Sequence, residues 1–211
     1  VLALGQPNSQ ASTQAPNEWH GFQNSNQTEA EFTKMAAPDL PKVALGGGHT
    51  CAINNNGNVL CWGLNNYGQL GNGTFDHAKT PQFVSGVESA IAVTAGNYHT
   101  CALLTSGKAK CWGRNHLGQL GNGKTVNSSV PVDVVMIDEV PFDTLVAGYD
   151  RVCGIDKNRN KASIKCWGFH YFGRSADNET GGISNTPVTV LGFFNNFTPK
   201  SLDIGAKHTC I

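Results

Sequence analysis

From Val43 onward the chain runs in short apolar stretches separated by segments dense in glycine and asparagine. The first four are Val43-Ala44-Leu45, Cys51-Ala52-Ile53, Val59-Leu60-Cys61 and Pro81-Gln82-Phe83-Val84. Stretches this short, bounded by turn residues, predict β-strands. No helix-length window carries a helical period, so an all-β fold is expected. The pattern then repeats. Gly47-Gly48-His49-Thr50-Cys51-Ala52-Ile53, Val59-Leu60-Cys61-Trp62-Gly63 and Tyr67-Gly68-Gln69-Leu70-Gly71-Asn72-Gly73 return fifty residues later, from Gly96 to Gly123. A third copy is worn: it keeps Gly148, Cys153 and Cys166-Trp167-Gly168, with Phe172-Gly173-Arg174-Ser175 where Gly-Gln-Leu-Gly stood. A fourth opens at Gly205-Ala206-Lys207-His208-Thr209-Cys210. A fixed period of this length is the signature of a repeat architecture.

The cysteines sit ten apart in the first two copies, and hairpin arithmetic explains the spacing. If Cys51 faces Cys61 on antiparallel strands, the loop is Asn55-Asn56-Gly57, and a three-residue loop wants glycine at its left-handed position. Thr105-Ser106-Gly107 repeats the arrangement, and Cys153 and Cys166 oppose each other around a longer, even-numbered loop. Opposed residues of antiparallel strands lie within reach of a disulfide. The reading is three equivalent bridges, Cys51–Cys61, Cys101–Cys111 and Cys153–Cys166, with Cys210 left unpaired. Zinc is the competing reading of the same residues. It usually brings two ligands close in sequence, and no Cys-x-x-Cys or His-x-x-x-His pair occurs here.

Trp62, Trp112 and Trp167 each follow the second cysteine and face the opposite side of the strand, where they are expected to pack one repeat on the next. His49, His99 and His208 recur two residues before a cysteine, with Asp150 at a neighbouring place in the worn copy. An active site is built once, so a histidine needed in every copy is expected to hold the scaffold through hydrogen bonds.

These residues resemble the repeat of the regulator of chromosome condensation family. Its copies carry Gly-x-x-His-(Thr/Ser)-x-Ala-Leu, Gly-x-Val, Trp-Gly-x-Asn and Gly-Gln-Leu-Gly. The match runs from Gly46 to Asn72, from Gly96 to Asn122, and partially from Gly148 to Gly173. The resemblance implies a β-propeller of four-stranded antiparallel blades, in the family about seven around an axis. The cysteines within Cys-Ala-(Ile/Leu) and Cys-Trp-Gly are similar to those of its secreted, disulfide-bearing branch. About three blades and the start of a fourth are expected: 43–92, 93–144, 145–201 and 202–211. Such a set cannot close a ring, so either a longer chain or other subunits would supply the rest. The family includes a nuclear exchange factor for the small GTPase Ran, a secreted β-lactamase inhibitor and domains joined to ubiquitin ligases. What they share is a propeller face that binds another protein.

Composition narrows the setting. Fifteen basic residues balance fifteen acidic ones, which removes the basic excess that nucleic-acid binding usually shows. Apolar runs are far shorter than a membrane span, so no membrane insertion is expected. Paired cysteines point to an oxidising, extracellular compartment. Asn26, Asn72, Asn127, Asn178 and Asn196 begin Asn-x-Ser/Thr sequons, candidates for N-glycosylation in that setting. Residues 1–42 are different material, rich in Gln, Asn, Ser and Thr, and read as a low-complexity leader. No nucleophile–base arrangement, paired carboxylate or phosphate loop stands out, so no catalytic residue, cofactor or metal site is assigned. The leading expectation is a non-catalytic, secreted or cell-surface recognition or adhesion module with a protein partner. Its binding loops would be Asn65-Asn66-Tyr67, Arg114-Asn115-His116 and Phe169-His170-Tyr171. A second is a subunit of an extracellular fibre, self-assembled through open blade edges. Guanine-nucleotide exchange is the weakest, because disulfides are rare in nuclei.

Overall fold

The computed structural model describes residues 42–136, 139–156, 163–171, 181–190, 199, 201–206 and 208–211, with backbone only at 171 and 181. Among them there is no helix. Strands β1 (Val43–Leu45), β2 (His49–Ile53), β3 (Val59–Gly63) and β4 (Ala78–Phe83) form an antiparallel sheet in sequence order. The second sheet repeats this with β5 (Ala90–Ala95), β6 (His99–Leu104), β7 (Ala109–Gly113) and β8 (Ser128–Asp133). The third uses β9 (Phe142–Ala147), β10 (Arg151–Asp156), β11 (Ile164–Tyr171) and β12 (Gly181–Thr189), and β13 (Asp203–Ile204) pairs with β14 (Thr209–Cys210) to begin a fourth.

The register follows from the turns. Asn54 N donates to Asn58 O and Gly57 has φ +77, so Cys51 lies opposite Cys61; Gly107, at φ +78, does the same for Cys101 and Cys111. The third hairpin places Cys153 opposite Cys166. All three pairs are disulfides with Cα separations of 4.1, 4.1 and 4.0 Å, and Cys210 is free and exposed. The glycine of each Trp-Gly pair sits at a register break between the third and fourth strands. Gly63, Gly113 and Gly168 have φ of +108, +103 and +96 there, and a Cβ would come within 2.5 Å of the Gly48, Tyr98 or Asp150 carbonyl oxygen. Each glycine thus marks a β-bulge in its blade.

The core lies between blades rather than within them. β5 packs against β1 and β2, β9 against β5 and β6, and β13 against β9. One apolar cluster joins Ala44, Cys51 and Ile53 of the first blade to Val93, Ala102 and Trp112 of the second. The next joins Cys101, Leu103 and Leu120 to Leu145, Val152 and Trp167. Cover on the face of the first blade turned away from the second is uneven: Ala52 and Leu60 are buried, whereas Val43, Leu45 and Phe83 are not. Val43, Ala52, Leu60 and Phe83 form one cross-strand row on the outward face there, and Leu45, Thr50 and Trp62 form another. Val43, Leu45 and Phe83 are 48%, 74% and 53% exposed, and Trp62 is half-buried while Trp112 and Trp167 are fully covered. Trp112 and Trp167 are covered within the clusters that they share with the blade before them.

Candidate recognition surface

Each Gly-Gln-Leu-Gly loop is built by a buried asparagine. Asn65 Nδ2 donates to the carbonyls of Thr74 and Asp76, both at 3.0 Å, and its Oδ1 accepts from Leu70 N at 2.9 Å. Asn115 repeats these bonds with Lys124, Val126 and Leu120. Both are fully buried, so Asn65 and Asn115 hold their loops and present nothing to a partner, a correction to their expected place in binding loops. A second correction concerns Phe169, His170 and Tyr171. They lie in strand β11, which runs on past Trp-Gly and pairs with β12, instead of in a loop. The asparagine that follows Trp-Gly in the first two copies is His170 here, and without its side-chain bonds the strand continues; His170 is buried.

The loops then clamp the next blade. Gln69 O accepts from Trp112 Nε1 at 2.9 Å and from Thr100 Oγ1 at 3.0 Å. With its one proton committed to Gln69, Thr100 Oγ1 accepts from His49 Nε2 at 2.8 Å, which assigns the His49 tautomer. Gln119 O accepts from Trp167 Nε1 at 2.9 Å. The residue equivalent to Thr100 is Val152, which has no hydroxyl, so His99 Nε2 lacks the partner that His49 Nε2 has, while Nδ1 is unpartnered in both rings. The histidine-to-threonine bond is therefore made at 49 and missing at 99, where a bond was also expected. Burial lowers the His49 pKa to about 4. Burial lowers that of His99 to about 3, helped by the His49 and Arg114 charges and only partly opposed by the Arg151 backbone. Both rings are neutral at neutral pH. Position 151 is the histidine position of the third copy, and its Arg151 is buried, with Nη2 donating to His208 O at 2.6 Å. The glycine three residues before each histidine is also explained: a Cβ at Gly46 or Gly96 would overlap the imidazole ring.

Stacking brings the first two expected loops together at one end of the blades. The Tyr67 ring lies 5.1 Å from that of Tyr98 and 6.0 Å from that of His116, centroid to centroid. The Arg114 guanidinium carbon sits 5.5 Å from the Tyr67 ring centre and 5.7 Å from that of Tyr98. Arg114 Nε donates to His116 Nε2, and Nη1 lies 3.7 Å from Asp150 Oδ1. Gln119 Nε2 donates to the same carboxylate oxygen at 3.0 Å. Tyr67, Tyr98 and Arg114 are half-buried, and Asn66 and His116 are exposed. Two tyrosines packed at a tilt with an arginine over both rings are the residue types that dominate the energetics of protein interfaces. Tyr98, Asp150, Gln69 and Gln119 were absent from the expected site. Aligning the copies at their first cysteines places 98 and 150 at one equivalent position beside the histidine, the signal that could have found them.

Of the sequon asparagines, Asn72 is half-buried with Oδ1 accepting from Thr74 N at 3.1 Å, and Asn127 Oδ1 accepts from Asn115 N at 2.8 Å. Asn26, Asn178 and Asn196 lie outside the described residues.

A family model of the regulator of chromosome condensation (RCC1) repeat matches residues 56–103 and 106–155, and a second model of the same repeat matches 42–69 and 90–119. Together they run from 42 to 155, more than half of the 211 residues. Among solved structures, human WBSCR16 is similar with a TM-score of 0.69 and 19% identity over 78% of this chain and 42% of that one. Prp20p of Saccharomyces cerevisiae, described with its binding properties to Gsp1p and histones, gives 0.62 and 18% over 71% of this chain and 38% of that one. Yeast RCC1 (Prp20) with Kap60 bound to it gives 0.62 and 20% over 82% and 42%. The chain thus spans less than half the length of these similar proteins.

Proposed function

The chain belongs to the regulator of chromosome condensation repeat family and folds as blades of its β-propeller; from that premise we propose a non-catalytic recognition module that works outside the cell. The observation that carries the reading is the Tyr67–Tyr98–Arg114–His116 cluster, assembled across a blade junction on a rigid scaffold. That yeast Prp20p binds Gsp1p and histones supports a protein as the class of partner. Three buried disulfides support an oxidising compartment, whether the protein is secreted or held at a cell surface. In that setting the sequons at Asn72 and Asn127, both half-buried, are candidate glycan acceptors.

The fibre reading fares less well. The outer strands carry Pro81, Pro131 and Pro187, each one residue before the partner of the second cysteine. Proline removes a donor from an edge, the common device against strand-to-strand assembly. The experiment is a selection of phage-displayed random peptides on the oxidised protein, with binders retested on Tyr67→Ala and Tyr98→Ala. Truncating an interface anchor costs about 2 kcal/mol or more, about thirtyfold in Kd. Binders indifferent to both substitutions, or no binders at all, overturn the proposal.

A further inference from the structure

The two blade junctions hold the loop glutamine in the same way and complete it differently. Gln69 Oε1 accepts from Tyr67 N and Gln119 Oε1 from Leu117 N, each at 2.9 Å, so the two amides have one orientation. In the second junction Gln119 Nε2 finds the Asp150 carboxylate. In the first, Tyr98 stands at the position of Asp150, and Gln69 Nε2 is fully buried with no acceptor. An unmet buried donor of this kind is uncommon and calls for an explanation. Gln69 is tied to the surface cluster at both ends. Its amide holds the Tyr67 backbone, and its Cα lies 3.2 Å from where a Cβ on Gly113, the neighbour of Arg114, would stand.

Arg114 is also incompletely used. Nε is committed to His116, and Nη1 stands 3.7 Å from Asp150, too far for a hydrogen bond. Nη2 has no acceptor among the described residues. The unmet polar atoms named here, Gln69 Nε2 and the Arg114 fork, are donors.

We propose that this cluster binds an acidic side chain, Asp or Glu, of a protein partner. The carboxylate enters between Tyr67 and Tyr98, meets the Arg114 fork first, and accepts from Gln69 Nε2 once the two rings part. It thereby does at the first junction what Asp150 does at the second. A cationic group has no acceptor to offer and is repelled by the Arg114 charge, and a neutral carbonyl accepts without the charge that strengthens the bond. This inference rests on the recognition reading above and adds the chemistry of what is recognised.

The test uses phenylacetate as probe and phenylacetamide as its neutral counterpart, titrated into the isotope-labelled, oxidised protein and followed by NMR. Phenylacetate is expected to shift the Gln69 side-chain amide and Arg114 Nε–H signals saturably, with phenylacetamide at least about tenfold weaker, because hydrogen bonds to a charged acceptor are the stronger ones. Arg114→Leu, the residue the first blade carries at the equivalent Leu64, is expected to abolish the shift. Arg114→Lys keeps the charge without the fork and should weaken it. The unperturbed remainder of each spectrum reports that the variant is folded. Equal affinity for acid and amide, or no shift at either group, overturns the inference. Peptide binders that lose affinity in Tyr67→Ala yet contain no acidic residue and ignore Arg114→Leu overturn it too, while leaving the recognition surface standing. Binders that ignore Tyr67→Ala and Tyr98→Ala refute the surface itself.

Discussion

Replacing Val152 by threonine should stabilise the protein. Thr100, at the equivalent place one blade earlier, accepts from His49 Nε2 at 2.8 Å and donates to Gln69 O at 3.0 Å. Val152 is fully buried and offers neither bond, which leaves His99 Nε2 unmet. A hydroxyl there would reach His99 on one side and Gln119 O on the other. Relieving an unmet buried donor returns about 1–3 kcal/mol. Exchanging a buried methyl for the hydroxyl forfeits roughly 0.8 kcal/mol of apolar burial. The expected balance is a gain of about 1 kcal/mol, or about 2–4 °C in Tm for a domain of this size. Guanidinium denaturation at pH 7 with the disulfides intact, followed by the fluorescence of the buried Trp112 and Trp167, measures it. A His99→Phe background tests the cause: there the gain should vanish, leaving a coupling energy of about 1 kcal/mol. The reverse change, Thr100→Val, orphans His49 and should cost about 1–2 kcal/mol. If Val152→Thr destabilises the protein, or its gain survives in His99→Phe, the histidine-to-threonine link between blades is not what holds this junction.

The two buried histidines make stability depend on pH. Their folded pKa values, about 4 and about 3, lie below the unfolded value of about 6.5. Their contribution is therefore present above pH 6.5 and lost as pH falls toward the folded values, with a slope of up to about 1.4 kcal/mol per pH unit for each. Denaturation midpoints between pH 7 and pH 5 should show it, and His99→Phe should remove about half of the slope. Trp112→Phe strips a donor from Gln69 O and leaves a gap in a covered site, so it should cost about 1–3 kcal/mol. Trp62→Phe, at a tryptophan that is only half-buried, should stay within about 0.5 kcal/mol in the same measurement. Gly96→Ala forces a Cβ into the His99 ring and the Gly148 carbonyl and should prevent recovery of folded protein, whereas Gly86→Ala, with φ +64 but open space, should cost about 1 kcal/mol. In native protein treated with iodoacetamide, Cys210 should be the one cysteine modified, because the other six sulfurs are bonded to each other and carry no thiol to alkylate; modification of a second cysteine without reductant would mean that a bridge is not formed.

Much of the fold was legible because it is local. The hairpin loop at Asn55-Asn56-Gly57 sets the pairing of Cys51 with Cys61 within ten residues of chain, and the repeat carries the same arithmetic to Cys101 and Cys111. The candidate site was legible only in part. Tyr67, Arg114 and His116 come from loops that composition marks, but Asn65 and Asn115 in the same loops point inward to tie their own backbone. Phe169-His170-Tyr171 differs from the expected loop because the second residue after Trp-Gly, asparagine in the first two copies, is His170 here, and the segment continues as strand.

Sequence alone thus determined the all-β class, the hairpin register, the disulfides and the family, all written in separations of ten to thirteen residues or in a period near fifty. Only the tertiary structure decided which side chains meet across a junction. Tyr67 meets Tyr98, Gln119 meets Asp150 and Trp112 meets Gln69 over separations of thirty-one to forty-three residues. Those meetings depend on how one blade stacks on the next. The same stacking decides where a worn copy leaves a polar atom unmet: a valine at 152 or a tyrosine at 98 reads as a tolerable substitution until the neighbouring blade presents His99 or Gln69 with nothing to bind.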